Sequence, residues 1–153
     1  MILHNRLPLT RHQAEIHLKK LFGFDHFFDL QWQVIEYVLA GRRVLFIEKT
    51  GFGKSLCYQF PATQLPGVTI VFTPLIALMR DQVRSMHAKG IRAAAINSNQ
   101  EKEENDKIIA KARQNELDIL YIAPERMENA GWITAAREMK IAMVVIDEAH
   151  CIS

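Results

Sequence analysis

Two short segments of this chain carry residues that could act together on a nucleoside triphosphate. The first spans 48–55 and contains two glycines followed by Lys54 and Ser55. Glycines allow backbone N–H groups to close around phosphate oxygens, a lysine supplies positive charge, and a serine hydroxyl can ligate magnesium. The second spans 147–150 and reads Asp-Glu-Ala-His. Such an aspartate can hold magnesium through water, while the adjacent glutamate orients or deprotonates an attacking water.

The first segment predicts a phosphate cradle, with contacts from six consecutive residues: Thr50, Gly51, Phe52, Gly53, Lys54 and Ser55. A helix that begins there would add the partial positive charge of its N-terminus. The alternative is a glycine turn with only a structural role, which the strand and helix patterns on either side disfavour. Glu48 departs from the usual pattern, which starts with Gly or Ala. Its carboxylate should repel phosphate unless it points away or pairs with Lys49.

The elements that must position these segments alternate along the chain. Short apolar runs predict five strands, at 44–47, 68–72, 93–96, 119–122 and 143–146. Stretches of helical period predict helices at 10–21, with Thr10 as N-cap, and at 31–40, 54–64, 76–89, 101–115 and near 132–139. This alternation predicts an α/β fold, a parallel sheet with helices on both faces. Ligands of such sheets bind at the carboxyl ends of the strands, where both segments would lie.

Composition bounds the class of protein more than its function. The chain has 153 residues, 49% hydrophobic and 24% charged, which is typical of one soluble globular domain. A formal charge of +2 is too small to predict nucleic-acid binding by itself. Cys57 and Cys151 are too few for a disulfide framework, and reduced thiols predict a cytoplasmic protein. Neither a secretory signal nor a transmembrane helix is predicted, and the histidines show no metal-ligand spacing.

Around the two segments, the sequence resembles the N-terminal part of a RecQ-type DNA helicase, a superfamily-two motor with two RecA-like lobes. The Leu-Cys-Tyr-Gln that follows Ser55 and the Cys-Ile-Ser that follows the Asp-Glu-Ala-His segment carry the resemblance. Residues 73–83 resemble its motif Ia, 121–127 a further signature, and 21–31 its adenine-reading motif zero. The resemblance runs from about residue 18 to 153. It implies a P-loop NTPase fold of the RecA-like type.

The resemblance implies a catalytic role for four residues: Lys54, Asp147, Glu148 and His150. His150 would couple the site to neighbouring elements rather than ligate metal. The implied cofactors are ATP and Mg²⁺, and the ion would be held by Ser55 and Asp147.

Nucleotide selection would depend on motif zero. Gln31 would hydrogen-bond the adenine edge, because an amide offers both a donor and an acceptor, and Phe24 would stack near it. The family usually carries an arginine in a Phe-Arg-Pro-x-Gln pattern, where this chain has Phe28. That departure weakens the predicted preference for ATP.

Motif Ia implies contact with single-stranded or partly duplex DNA. Thr73 and the backbone after Pro74 would meet a phosphate, and Arg80 and Arg84 lie one turn apart on the following helix. Such binding should be sensitive to salt and poor in sequence specificity. The alternative is a helix cap followed by a solvated basic face.

The predicted organisation is N-terminal helices with motif zero over 1–40 and a partial RecA-like lobe over 41–153. The family's second lobe, with its arginine finger, would be missing, so a truncated first lobe with an exposed sheet edge is predicted. The implied function is ATP-driven unwinding of DNA in the 3′ to 5′ direction by the parent protein. One alternative is a catalytically inactive module that binds nucleic acid or a partner. Another, a DEAH-type RNA helicase, is disfavoured by the Cys-Tyr-Gln and Cys-Ile-Ser runs.

Overall fold

The computed structural model describes residues 8–48 and 53–147. The chain forms two compact units, Met1–Pro61 and Ala62–Ser153. In the first lie α1 (Arg11–Phe22), α2 (Asp29–Leu39) and the start of α3 (Leu56–Gln64). The second holds four strands and the helices α4 (Ile76–Ala88), α5 (Lys102–Arg113) and α6 (Ala130–Arg137), with a 3₁₀ turn at Pro124–Glu128. No helix in these described ranges is both long and apolar enough to cross a membrane.

The first unit begins with a capped helix over an apolar cluster. Thr10 Oγ1 accepts from the N–H of Gln13 at 3.2 Å, and Gln13 Oε1 accepts from the N–H of Thr10 at 3.0 Å. This reciprocal pair satisfies N–H groups that the first helical turn leaves unpaired, and it confirms Thr10 as the N-cap. The cluster below is made of fully or nearly fully buried side chains: Ala14, Leu18, Phe27, Ile35, Leu56 and Phe60.

The second unit is built on a four-stranded sheet. Its strands are β1 (Val68–Phe72), β2 (Ala93–Ile96), β3 (Ile119–Ile122) and β4 (Ile141–Ile146), in the order β2-β3-β1-β4. Every pairing is parallel. Parallel neighbours need crossover connections, which the intervening helices supply. The predicted α/β class is therefore confirmed.

Burial separates the central strands from β4. Every residue of β1 and β3 is buried, as expected for strands with a neighbour on each side and cover on both faces. Side chains of α5 and α6 cover one of those faces, where Trp132 packs edge-on against Phe72. Along β4, which pairs only with β1 in the described residues, Ile141, Val144 and Ile146 are 38–56% exposed.

The predicted strand at 44–47 is wrong. No ladder forms there among the described residues, and Leu45 and Ile47 are each 81% exposed. An apolar, β-branched run indicates a segment suited to a buried strand, but a strand exists only where a second backbone pairs with it. The sequence pattern carries no information about that partner. The other four predicted strands are confirmed, with β4 beginning two residues earlier than predicted.

Candidate nucleotide-binding site

Lys54, the lysine of the predicted phosphate loop, bonds the main chain at the start of the same segment. Lys54 Nζ donates to the main-chain oxygen of Glu48 at 2.7 Å, which brings the two ends of segment 48–55 together. An ammonium group has three hydrogens, and this bond uses one of them. The predicted contacts Thr50, Gly51 and Phe52 lie outside the described residues, as does Lys49, the predicted partner of the Glu48 side chain.

The residues after the loop form the first turn of α3. The carbonyl of Lys54 accepts from the N–H of Cys57 at 3.0 Å, and that of Ser55 accepts from the N–H of Gln59 at 2.9 Å. Ser55 is therefore placed at the N-terminal end of a helix, where unpaired N–H groups favour an anion. Cys57, the second residue of α3, is buried, and burial raises the pKa of its thiol to about 11. The thiol is therefore neutral near pH 7 and is no nucleophile.

Gln31 hydrogen-bonds the predicted phosphate loop, a contact that the sequence did not predict. Its side chain is buried, its Oε1 accepts from the N–H of Phe28 at 2.9 Å, and its Nε2 donates to the carbonyl of Gly53 at 3.1 Å. These two bonds use one of the two amide hydrogens and one of the two oxygen lone pairs. Phe24 and Phe28 nearby in sequence are 56% and 61% exposed, so their rings are accessible for stacking. Adenine reading by Gln31 stays a prediction.

Gly53 fits this loop for two reasons. Its φ of +87° lies in the left-handed region that side chains disfavour. A Cβ atom at this position would also lie 2.6 Å from Gln31 Nε2, inside van der Waals contact. A side chain at Gly53 would therefore strain the backbone and displace the Gln31 amide.

Asp147 stands at the carboxyl end of β4. Its N–H donates to the carbonyl of Phe72 at 2.9 Å, so the β1–β4 ladder continues one residue past the strand and fixes the position of Asp147. Carboxylate and hydroxyl oxygens are ligands that suit Mg²⁺, so the donor chemistry of Asp147 and Ser55 fits the ion. In the described ranges no three His, Cys, Asp or Glu residues form a metal cluster. Magnesium that is held mainly by phosphates and water needs no such cluster. Glu148 and His150 lie outside the described residues.

Thr73 lies at the same edge of the sheet as Asp147. Its N–H donates to the carbonyl of Ile122 at 3.1 Å, and its hydroxyl accepts from the N–H of Leu75 at 3.3 Å, in the turn that contains Pro74. The hydroxyl also carries a hydrogen that it can donate. Arg80 and Arg84 are exposed one turn apart on α4, while Met79 and Met86 point into the core. Thr73 and Asp147 thus lie at the carboxyl end of the sheet, and the two arginines lie on a solvent-facing surface of α4.

The candidate residues therefore fall into two groups. Within the first unit Gln31 bonds Gly53, the next residue Lys54 bonds Glu48, and Ser55 follows directly. Thr73 and Asp147 lie in the second unit, where both bond the carboxyl end of the sheet. Arg11 and Glu15, which hydrogen-bond the segment just before Gln31, were not predicted from the sequence. Their only sequence signal is a spacing of four on a helix, which is common on solvated helix surfaces.

Comparison with known proteins gives the class of protein to which this fold and these residues correspond. The model of the family described as DEAD/DEAH box helicase matches residues 28–153. The chain belongs to this family.

Within the family, the chain is similar to RecQ DNA helicases. It is 41% identical over 136 residues to the ATP-dependent DNA helicase RecQ of Haemophilus influenzae, covering 89% of this chain and 22% of the relative. It is 40% identical over 143 residues to the RecQ of Bacillus subtilis, covering 93% and 24% respectively. The chain thus spans about a quarter of the length of these relatives.

A solved structure supports the fold independently. The helicase MrfA, in a crystal structure bound to DNA and AMPPNP, superposes with a TM-score of 0.71 over 95% of this chain and 22% of that chain. Sequence identity is 21%, so the likeness concerns the fold alone. It agrees with a RecA-like P-loop architecture.

Proposed function

We propose that this chain is the ATP-binding part of a RecQ-like DNA helicase that couples ATP hydrolysis to unwinding in the 3′ to 5′ direction. The observation that carries the proposal is a pair of hydrogen bonds made immediately before a helix, from Gln31 to the carbonyl of Gly53 and from Lys54 to the carbonyl of Glu48. That geometry suits a triphosphate, and the family to which the chain belongs supplies the reaction class.

Each residue would have a distinct role in hydrolysis. Lys54 would neutralise charge on the β- and γ-phosphate oxygens, exchanging its bond to the Glu48 carbonyl for bonds to phosphate. Ser55 and Asp147 would hold magnesium, which supplies further charge neutralisation when bound. Glu148 would orient or deprotonate the attacking water, and His150 would relay the state of the site to neighbouring elements. Thr50, Gly51 and Phe52 would complete the cradle with their N–H groups.

Base recognition would come from motif zero. Gln31 would present its remaining amide hydrogen and lone pair to the adenine edge, and Phe24 would stack on the base. Residues 1–40 would then form a nucleotide-selecting segment ahead of a RecA-like lobe over 41–153. A second RecA-like lobe, with an arginine finger, would complete the motor. We expect such a protein in the cytoplasm, in keeping with reduced thiols at Cys57 and Cys151.

DNA would be held through its backbone. The exposed guanidinium groups of Arg80 and Arg84 would pair with phosphates, and the hydroxyl of Thr73 and the main chain after Pro74 would donate to a further phosphate. Single-stranded or partly duplex DNA would bind with little sequence preference. Each phosphate contact made by an arginine should steepen the dependence of affinity on salt.

The exposed Phe28 and the carboxylate of Glu48 at the loop favour a second candidate, an inactive module that binds nucleic acid without using ATP. The two candidate functions differ in whether binding of ATP changes the affinity for DNA. We expect Mg²⁺-ATP to change the affinity for single-stranded DNA, measured by fluorescence anisotropy, and Lys54→Ala to abolish that change. DNA affinity that responds to neither ATP nor Lys54→Ala would favour the inactive module.

A further inference from the structure

Two charged side chains of α1 hold the backbone of Phe27 on both of its polar groups. Glu15 Oε1 accepts from the N–H of Phe27 at 3.2 Å, and Arg11 Nη2 donates to the carbonyl oxygen of Phe27 at 2.7 Å. The two side chains also bond each other, with 3.1 Å between Arg11 Nε and Glu15 Oε1. We call Arg11 and Glu15 the α1 clamp.

Glu15 is the shielded centre of this arrangement. Its side chain is 15% exposed, whereas the outer partners His26 and Asp29 are 79% and 96% exposed. Exposed ion pairs contribute little, so the contacts of Glu15 matter most. Burial raises the pKa of Glu15, but hydrogen bonds from His26, Arg11 and the N–H of Phe27 together outweigh burial and lower it. The carboxylate is therefore charged at neutral pH and accepts from all three donors.

The clamped residue reaches the phosphate loop by two routes. The buried ring of Phe27 packs edge-on against Phe60 of α3, with 5.0 Å between ring centroids. The next residue, Phe28, donates its N–H to Gln31, whose amide in turn donates to the carbonyl of Gly53. One route thus reaches the residue just before Lys54, and the other reaches the helix just after Ser55.

We propose that Arg11 and Glu15 are positioning residues for the triphosphate site, acting through Phe27 and Gln31 on the phosphate loop. The inference rests on the proposed nucleotide-binding function. Neither side chain needs to touch the nucleotide. By fixing the turn at Phe27, the α1 clamp fixes the amide of Gln31 and the Gly53 carbonyl to which it is bonded. Without the clamp, nucleotide binding must order this turn, and affinity falls accordingly.

A double-mutant cycle on the full chain tests this coupling. The dissociation constant for Mg²⁺-ATP is measured by calorimetry for wild type, Glu15→Gln, Gln31→Ala and the double variant. We expect Glu15→Gln to weaken binding about fivefold in the wild-type background and by less than about twofold with Gln31→Ala, because its effect passes through Gln31. Arg11→Gln should behave in the same way.

The chain offers a matched control in the Lys19–Asp25 ion pair, with 3.0 Å between Lys19 Nζ and Asp25 Oδ1. This pair also joins α1 to the turn that follows it, but neither side chain hydrogen-bonds Phe27. Lys19→Gln should leave the Mg²⁺-ATP affinity unchanged in both backgrounds. Melting temperature is recorded for every variant. If Glu15→Gln does not fold, Arg11→Lys replaces it, since lysine keeps the charge but cannot bridge several partners as a guanidinium does.

Two results overturn the positioning role: unchanged affinity in the clamp variants, or an equal loss with and without Gln31. Lys54→Ala keeps this failure apart from failure of the proposed function. If Lys54→Ala binds Mg²⁺-ATP as well as wild type, the nucleotide site itself is wrongly assigned. If Lys54→Ala loses binding while the clamp variants do not, only the positioning role is lost.

Discussion

Gly53 is the residue at which backbone conformation and side-chain packing both constrain the candidate site. We predict that Gly53→Ala lowers the affinity for Mg²⁺-ATP at least about tenfold, because the added Cβ would lie 2.6 Å from Gln31 Nε2 at a φ of +87°. Calorimetric titration measures the effect. Gly23→Ala is the matched control, since Gly23 has a similar φ of +78° with no atom within 4 Å of the added Cβ. An affinity loss of equal size in both variants would contradict the prediction.

Glu15 should make the stability of the chain depend on pH in the acid range. Its folded-state pKa lies below the ordinary value of 4.5, so its contribution is present above that value and is lost as pH falls through the folded pKa. We predict that Glu15→Gln lowers the free energy of unfolding at neutral pH, and that the difference from wild type shrinks as the pH falls below 4.5. Urea denaturation over a series of pH values measures this difference.

The contribution of His26 can be separated from that of Glu15, because His26 Nδ1 lies 3.2 Å from Glu15 Oε2. Repeating the comparison with His26→Gln leaves Arg11 and the N–H of Phe27 as the remaining donors. In the His26→Gln background, the difference in unfolding free energy caused by Glu15→Gln should still become smaller at acid pH. If the difference in unfolding free energy between Glu15→Gln and wild type were constant from neutral to acid pH, the charged carboxylate would not stabilise the folded state.

At the scale of elements, the start of the β1–β4 ladder depends on a close backbone approach. Gly67 has a φ of +109°, and a Cβ there would lie 2.5 Å from the carbonyl oxygen of Lys140, which accepts from the N–H of Val68. We predict that Gly67→Ala destabilises the fold by more than about 2 kcal/mol. Gly90→Ala, at a φ of +75° with open space around the Cβ, should cost only about 1 kcal/mol. Chemical denaturation that ranks the two variants in the opposite order would refute this account.

The same scale explains which elements could be predicted from sequence. The bounds of β1, β2 and β3 match their apolar runs because β1 and β3 are buried throughout and β2 is buried at both of its ends. Thr10 could be predicted as a cap because capping is a local interaction. The run at 44–47 has the same composition as a buried strand, yet no local feature reports whether a second strand pairs with it.

The candidate site shows the same division between local and distant interactions. The glycine loop, Lys54 and Asp147 are recognisable because residue type and spacing carry their chemistry. The bond from Gln31 to Gly53 joins residues 22 positions apart, and the contact of Arg11 with Phe27 joins residues 16 apart. Such pairs depend on how the helices pack. They could be found only from the folded chain.

For the whole molecule, we propose that this member of the DEAD/DEAH box helicase family binds a nucleoside triphosphate through residues 48–55. Lys54 and a magnesium ion would each neutralise charge on the phosphates. Binding should therefore depend on magnesium as well as on the lysine. Replacing Lys54 tests the proposed site more specifically than removing magnesium does, because the Lys54 ammonium bonds the carbonyl of Glu48 within segment 48–55.

The most direct test is a titration of labelled Mg²⁺-ATP against wild type, Lys54→Ala and the control Lys89→Ala, which alters a lysine at the end of α4 that bonds Ser85. We predict that Lys54→Ala weakens binding at least about tenfold, which corresponds to about 1.4 kcal/mol, and that Lys89→Ala has no effect. Removing magnesium should weaken wild-type binding as well. Equal affinities for wild type and Lys54→Ala would contradict the assignment of 48–55 as the triphosphate site.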